Sequence, residues 1–408
     1  MIVSLPQAAG EAGQLALRHG EAKSKAPSIL IHGRGPVAFC PTSLRSAFAY
    51  AKQGREGLKA ILNRLASVHA RSNRFRHRRI EEVRHGVTGL VALIFTALAL
   101  PPLLARLTGG RPPTFITQLA ALAPAAAVPA TAAVIIAAVT APWLAVLLAI
   151  PAVILVVWQL PPRQRTSHQA AAGPSREAGS ALPMVSLRLL TINVLGGAAD
   201  PAAILRILQS HHVDVLAVQE LTPRMVSRLA AAGLAELLPF SHLDPRPRSA
   251  GTGLWARWPL TPLPPVPGLT AAAPRARIDP PGGRPVTLTA VHPLAPMNGH
   301  AGIWQRELAL IRQTLTTGDE PQVVAGDFNA SRDHRPFRDL LAAGFRDCAD
   351  SSQRRSWPGF TWPAEGGMLP VMRLDHVLVS RTATVRMTRA IRVPHTDHHG
   401  VLAAIEFT

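Results

Sequence analysis

The sequence predicts an α/β fold, a sandwich of mixed sheets in the C-terminal half, preceded by about three transmembrane helices. Three observations lead there. Residues 86–162 carry only Arg106 and Arg111 as charged side chains, and a spanning helix needs about 20 apolar residues. Residues 183–408 hold more strand runs than helical ones, at both hairpin and crossover spacings, which suits a mixed sheet and not a doubly wound parallel one. A hydrophobic share of 48% against 16% charged excludes a disordered or fibrous chain, because such chains lack apolar surface to bury. Two cysteines in 408 residues exclude a disulfide scaffold and a cysteine-rich zinc module.

Residues 1–85 hold 15 Lys and Arg against 5 Asp and Glu and show no sustained period. They read as a poorly ordered basic segment, with Arg71–Arg84 as a short amphipathic helix or a solvated flank. Residues 86–162 form the membrane region, with spans at about 86–106, 114–135 and 139–160 and a tight turn near Thr140–Pro142. Trp143 and Trp158 suit the interfacial belts, and the basic flank keeps the N-terminus cytoplasmic, so three spans put the C-terminal half on the extracytoplasmic side. Residues 163–182 are small and polar, a flexible linker. In residues 183–408, 23 Arg and no Lys face 18 acids, a balance too even to read as a nucleic-acid footprint.

The elements of this last domain follow in order. Ser186–Leu195 and Val213–Val218 are strand runs. Asp200–Pro201 and Thr222–Pro223 each pair an N-cap with a proline at the first helical position. Arg284–Val291 is a strand. Trp304–Leu315 has an apolar face of Trp304, Leu308, Ile311 and Leu315. Pro321–Ala325, Val371–Ser380, Thr384–Val393 and Val401–Phe407 complete the strands. Leu260–Leu269 reads as an apolar, proline-rich loop.

The polar residues that carry chemistry stand where strands end: Asn193, Glu220, His292, Asp327 with Asn329, Asp375, and Asp397 with His398. Buried carboxylates are costly unless paired or bound to a metal, so several at strand ends point to one polar pocket at a sheet rim. His376 and His399 read as structural. Oxygen donors dominate, which suits magnesium or manganese; zinc and iron sites lack their histidine or cysteine spacing. No G-x-S-x-G and no P-loop is present.

TINV, VQE, VHP, GDFN, RLDHVLVS and TDHHGV occur in the order and rough spacing of the endonuclease/exonuclease/phosphatase superfamily, and the domain resembles its deoxyribonuclease-like members from Leu187 to Phe407. The membrane layout resembles bacterial, membrane-anchored members. The resemblance implies a four-layer α/β sandwich and metal-dependent phosphoester hydrolysis by a water nucleophile. It implies Glu220, Asn193 and Asp397 on a Mg²⁺ or Mn²⁺ ion. Asp327 and Asn329 would position the water and a phosphate oxygen, His398 would act on the scissile phosphate with Asp375 orienting it, and His292 would be a further catalytic histidine. An imidazole titrating near neutrality would let His398 serve as base or donor. Arg248 and Arg373 are candidate phosphate contacts. The domain has no tyrosine, which argues against abasic-site repair.

The substrate is left open between nucleic acid, a phospholipid headgroup and a small phosphoester; nothing points to a protein partner. A nuclease would show a basic groove, and a lipid hydrolase apolar loops near the bilayer, for which Leu260–Leu269 is a candidate. The alternative reading is a catalytically inactive, membrane-tethered binding module of the same fold. A transporter is disfavoured, because the spans lack charged residues.

Overall fold

The computed structural model describes residues 41–110, 113–160, 185–315, 320–352, 354–355, 359–365 and 368–407. The linker expected at 163–182 and the chain before Pro41 lie outside them. The chain divides into two units, Met1–His77 and Arg78–Thr408.

Helix α1 (Pro41–Leu107) begins in the basic segment and runs through the first apolar stretch. The expected poorly ordered segment is therefore helical from Pro41 on. Its Ala, Leu, Arg and Lys content supports helix residue by residue, and its apolar side chains Leu58, Leu62, Leu65 and Val68 are exposed. Then come α2 (Thr114–Ala121), α3 (Ala123–Thr140) and α4 (Pro142–Gln159). The second predicted span, 114–135, is thus broken at Leu122, because Pro124 opens a new helix and cannot donate within an old one. The expected turn falls at Ala141. Among the described residues, three helices are long and apolar enough to cross a membrane: the stretch ending at Leu107, α3 and α4. Ala99 and Leu103 of α1, Ala123, Ala126 and Ala130 of α3 and Ala152 and Leu155 of α4 form one buried cluster.

The rest runs β1 (Val185–Asn193), α5 (Pro201–Ser210), β2 (Val215–Gln219), α6 (Pro223–Ala231), α7 (Leu234–Leu237), β3 (Phe240–Asp244), β4 (Thr252–Ala256), β5 (Leu260–Leu263), β6 (Arg275–Ile278) and β7 (Val286–Val291). It continues with α8 (Ala301–Leu315), β8 (Gln322–Asp327), α9 (Arg335–Ala342), β9 (Phe345–Asp347), α10 (Cys348–Ser351), β10 (Arg354–Arg355), β11 (Asp375–Ser380), β12 (Ala383–Arg392) and β13 (His399–Phe407). The predicted caps are made: Asp200 accepts from Ala202 N at 3.0 Å and Thr222 from Met225 N at 3.2 Å. Leu260–Leu269 is not a free loop, since its first residues form β5 and Val266 is buried against α8.

The first sheet has the order β10-β12-β13-β1-β2-β4-β3 and the second β5-β6-β7-β8-β11-β9. Strand alternation builds four layers. Leu187, Leu189, Val215 and Ala217 of the first sheet meet Leu288, Val323, Ala325 and Val377 of the second between the sheets. The opposite faces carry Ile192, Leu216 and Val218 under α5 and α6, and Val324 and Leu378 under α8 and α9. The outcome is the α/β sandwich of two mixed sheets.

Candidate active site

Strand polarity gathers the polar residues. β1 and β2 are parallel, as are β7 and β8, so Asn193, Glu220, His292 and Asp327 all stand at strand C-termini. β11 runs antiparallel to β8 and starts with Asp375 opposite Asp327; β13 runs antiparallel to β1 and follows His398. Asn193, Asp327 and Asp375 also share the parity of the inter-sheet layer, so the alternation that packs the core ends in the site.

GDFN shows why local sequence matters. Phe328 turns outward and is fully buried, edge-on to Phe337 at 5.5 Å, while the Trp304 indole donates to its carbonyl at 3.2 Å. Asp327 and Asn329 on either side then face the cavity. A Cβ on Gly326 would lie 1.9 Å from the carbonyl oxygen of Val291, on the strand end that delivers His292. Gly326→Ala is expected to lower stability by about 1–3 kcal/mol or more, read as a shifted denaturant midpoint; an unchanged midpoint contradicts this packing.

Asp327 is the centre of the cluster. Its Oδ1 accepts from Asn329 N at 2.8 Å. Its Oδ2 accepts from Asn193 Nδ2 at 3.1 Å and lies 3.6 Å from His292 Nε2 and 3.7 Å from His398 Nε2. Asn193 Nδ2 also donates to Glu220 Oε1 at 3.2 Å, and Gly196 N donates to Glu220 Oε2 at 2.7 Å. His398 Nδ1 meets Asp375 Oδ2 at 2.8 Å, the orienting contact expected for that pair. Burial opposes charge on the His398 ring, but Asp375 and Asp327 outweigh it and hold its pKa up to about 10. These two carboxylates put its titration above the near-neutral range expected from sequence. His292 Nδ1 bonds to Ser249 O at 3.1 Å, leaving Nε2 toward Asp327.

The donor set suits a hard cation. Glu220, Asp327 and Asp397 line one cavity of about 600 Å³, and Asp397 Oδ1 is buried without a hydrogen-bond partner. Asp327, Asp375 and His398 also bring ligand-type atoms within 4.8 Å of one another, and the His398–Asp375 hydrogen bond orients the ring with Nε2 left toward Asp327. Asn193 stands between Glu220 and Asp327. Its Oδ1 accepts from Leu195 N at 3.0 Å, and it turns a donor toward the two carboxylates, bridging them.

Two expected contacts are not brought to the cluster. Arg373 is buried against Asp350 at 3.1 Å and Asp347 at 3.6 Å, its charge committed there. Arg248 is exposed on the β3–β4 loop and does not line the cavity. His376 is structural, as expected, between Asp347 at 2.7 Å and Ala330 O at 2.9 Å. Sequence reasoning missed Trp362, whose indole donates to Asp397 Oδ2 at 3.1 Å, and Thr396, whose hydroxyl donates to Asn193 O at 2.7 Å. Trp362 sits in a proline-rich stretch with no period to mark it. The whole of α2, which reaches the cavity through Thr117, Gln118 and Ala121, was missed too, because an apolar helix reads as span.

Carboxylates and imidazoles thus gather at one rim of an α/β sandwich of two mixed sheets. Residues 190–398 match the sequence model described as Endonuclease/Exonuclease/phosphatase family, and the chain belongs to that family. No curated protein matches it. Among solved structures it is similar to a family protein from Bacteroides thetaiotaomicron, at 15% identity over 56% of this chain and 97% of that one, TM-score 0.46. It is also similar to a humanized D. rerio TDP2, at 18% identity over 54% and 98%, TM-score 0.45. A third is a mannosyl-6-phosphatase from Bacteroides thetaiotaomicron VPI-5482, at 14% over 54% and 99%, TM-score 0.42.

Proposed function

We propose that the chain is a membrane-anchored, divalent-cation-dependent phosphoester hydrolase with a water nucleophile. The observation that carries this reading is the single cavity lined by Glu220, Asp327, Asp397, His292 and His398. The proposed layout is a basic segment at 1–85, a membrane region at 86–162, a linker at 163–182 and a catalytic domain at 183–408. The N-terminus is cytoplasmic and the domain extracytoplasmic, a reading supported by three apolar helices after a basic flank.

Glu220 and Asp397 would hold magnesium or manganese, with Asn193 bridging Glu220 to Asp327. Such a cation, when bound, neutralises charge on the phosphate oxygens. Asp327 orients the attacking water and accepts its proton, with Asn329 fixing the Asp327 carboxylate. His398, held by Asp375 at Nδ1, donates from Nε2 to a phosphate oxygen. His292 delivers a proton to the leaving oxygen.

The test uses the full chain in detergent with bis-p-nitrophenyl phosphate and p-nitrophenyl phosphate. Turnover is expected with Mg²⁺ or Mn²⁺, lost in EDTA, restored by the cation, and lowered by about 10²–10³-fold in Glu220→Gln. Absence of turnover with either cation, in folded protein, overturns the reading in favour of a binding module.

A further inference from the structure

The catalytic cavity is not built by the sandwich alone. Thr117, Gln118, Ala121 and Leu122, from α2 and the break before α3, form part of its wall. This wall is fastened to the domain. His334 accepts from Ser331 N at Nδ1 and so donates from Nε2 to Thr117 O at 2.8 Å. Arg335 N donates to Gly109 O at 2.9 Å, and Thr117 Oγ1 donates to Gly110 O at 2.9 Å. Arg106, at the end of α1, pairs with Asp333 and lies over Trp158 of α4, 3.7 Å from its ring centre. Side chains at Gly109 or Gly110 would collide with Arg335 or His334.

The C-terminus of α1, the N-terminus of α3 and the C-terminus of α4 thus lie on the side where the domain docks. If those helices span a bilayer, α2 lies at its surface and the cavity opens there. Phe115 of α2 is 60% exposed. Across the cavity stand Leu294, Met297 and Met372. Met297 is exposed, as are Met368 and Leu369 on the segment leading to Met372; Phe240 on β3 is the other large apolar side chain exposed among the domain's described residues. No Arg or Lys is among the described residues lining the cavity, whereas a groove that tracks a nucleic-acid backbone is basic.

We infer that the substrate is a lipid-linked phosphoester, its phosphate at Asp327 and His398 and its hydrocarbon chain against α2 and the Leu294–Met297 wall. The inference rests on the hydrolase reading above. Water adds to phosphorus, one P–O ester bond breaks, and the departing alcohol oxygen takes up a proton.

The test uses the full chain in detergent micelles and a series of p-nitrophenyl alkyl phosphates from methyl to octyl. Should only the monoester be turned over in the first assay, alkyl phosphates with release of inorganic phosphate replace them. kcat/KM is expected to rise at least tenfold from methyl to octyl, since each buried methylene contributes to binding. Met297→Gln, at an exposed side chain that folding tolerates, and Ala121→Asp should both flatten that rise. Partition of the ester into micelles is the same for all variants, so a flattened slope reports the wall. A flat series in wild type, a slope unchanged in Met297→Gln, or p-nitrophenyl thymidine 5′-phosphate outrunning the octyl ester overturns the lipid assignment, the last in favour of nucleic acid. Failure of every ester, bis-p-nitrophenyl phosphate included, instead overturns the hydrolase reading and this inference with it.

Discussion

Replacing His398 with alanine is expected to lower turnover of a small phosphodiester by about 10³–10⁴-fold. The imidazole is held on one side by Asp375 at 2.8 Å and faces Asp327 Oδ2 at 3.7 Å on the other. The substitution also removes a charged partner from the buried Asp375 carboxylate, and some thermal stability goes with it. Asp375→Asn separates the two effects. It leaves the ring in the cavity without the carboxylate that orients it, and turnover should fall about 10²-fold or more with KM little changed. A His398→Ala enzyme within tenfold of wild type would show that this histidine does not act on the reacting phosphate.

The largest effect on stability is expected at Asp347, away from the cavity. This carboxylate is buried; it accepts from Ala349 N at 2.9 Å as the cap of α10, meets His376 Nδ1 at 2.7 Å and lies 3.6 Å from Arg373. Asp347→Ala leaves the buried His376 ring and Arg373 guanidinium without this carboxylate partner and should cost about 3–5 kcal/mol, seen in denaturant unfolding of the full chain. Burial pushes the Asp347 carboxyl up, but His376 and Arg373 outweigh it and hold its pKa at about 2. A folded-state pKa below the ordinary value of 3.8 stabilises above that value, and the gain is lost as pH falls toward 2. The stability gap between wild type and Asp347→Asn should therefore be full above about pH 4 and close toward pH 2. A gap that widens on acidification would mean that the carboxylate is not the charged partner.

Both predictions rest on residues of different legibility. His398 and Asp375 could be found because motif residues sit beside strand runs, and a polar group next to a buried run is an anomaly that survives in one dimension. The same reasoning failed for Arg373, which neighbours Asp375 in sequence but is drawn by Asp347 and Asp350 into a buried ion network. That network joins residues from β9, α10 and the start of β11, and no local pattern links them. The strands β3, β5, β6 and β9 went unread because they are three to five residues long, too short to show a period.

The sequence by itself determined the mixed sandwich, the apolar helices before it and most of the cavity's carboxylates and imidazoles. These depend on composition, on alternation along single strands and on polar residues at strand ends, all of which are local. Only the tertiary structure decided that Asn193 bridges two carboxylates as a donor, that Asp375 and Asp327 flank the His398 ring, and that Arg373 serves the core. It also decided that α2 closes the cavity. Hydrogen-bond direction, the field at a buried ring and the docking of one element on another depend on groups far apart in the chain, such as His334 and Thr117, and no stretch of sequence holds both partners.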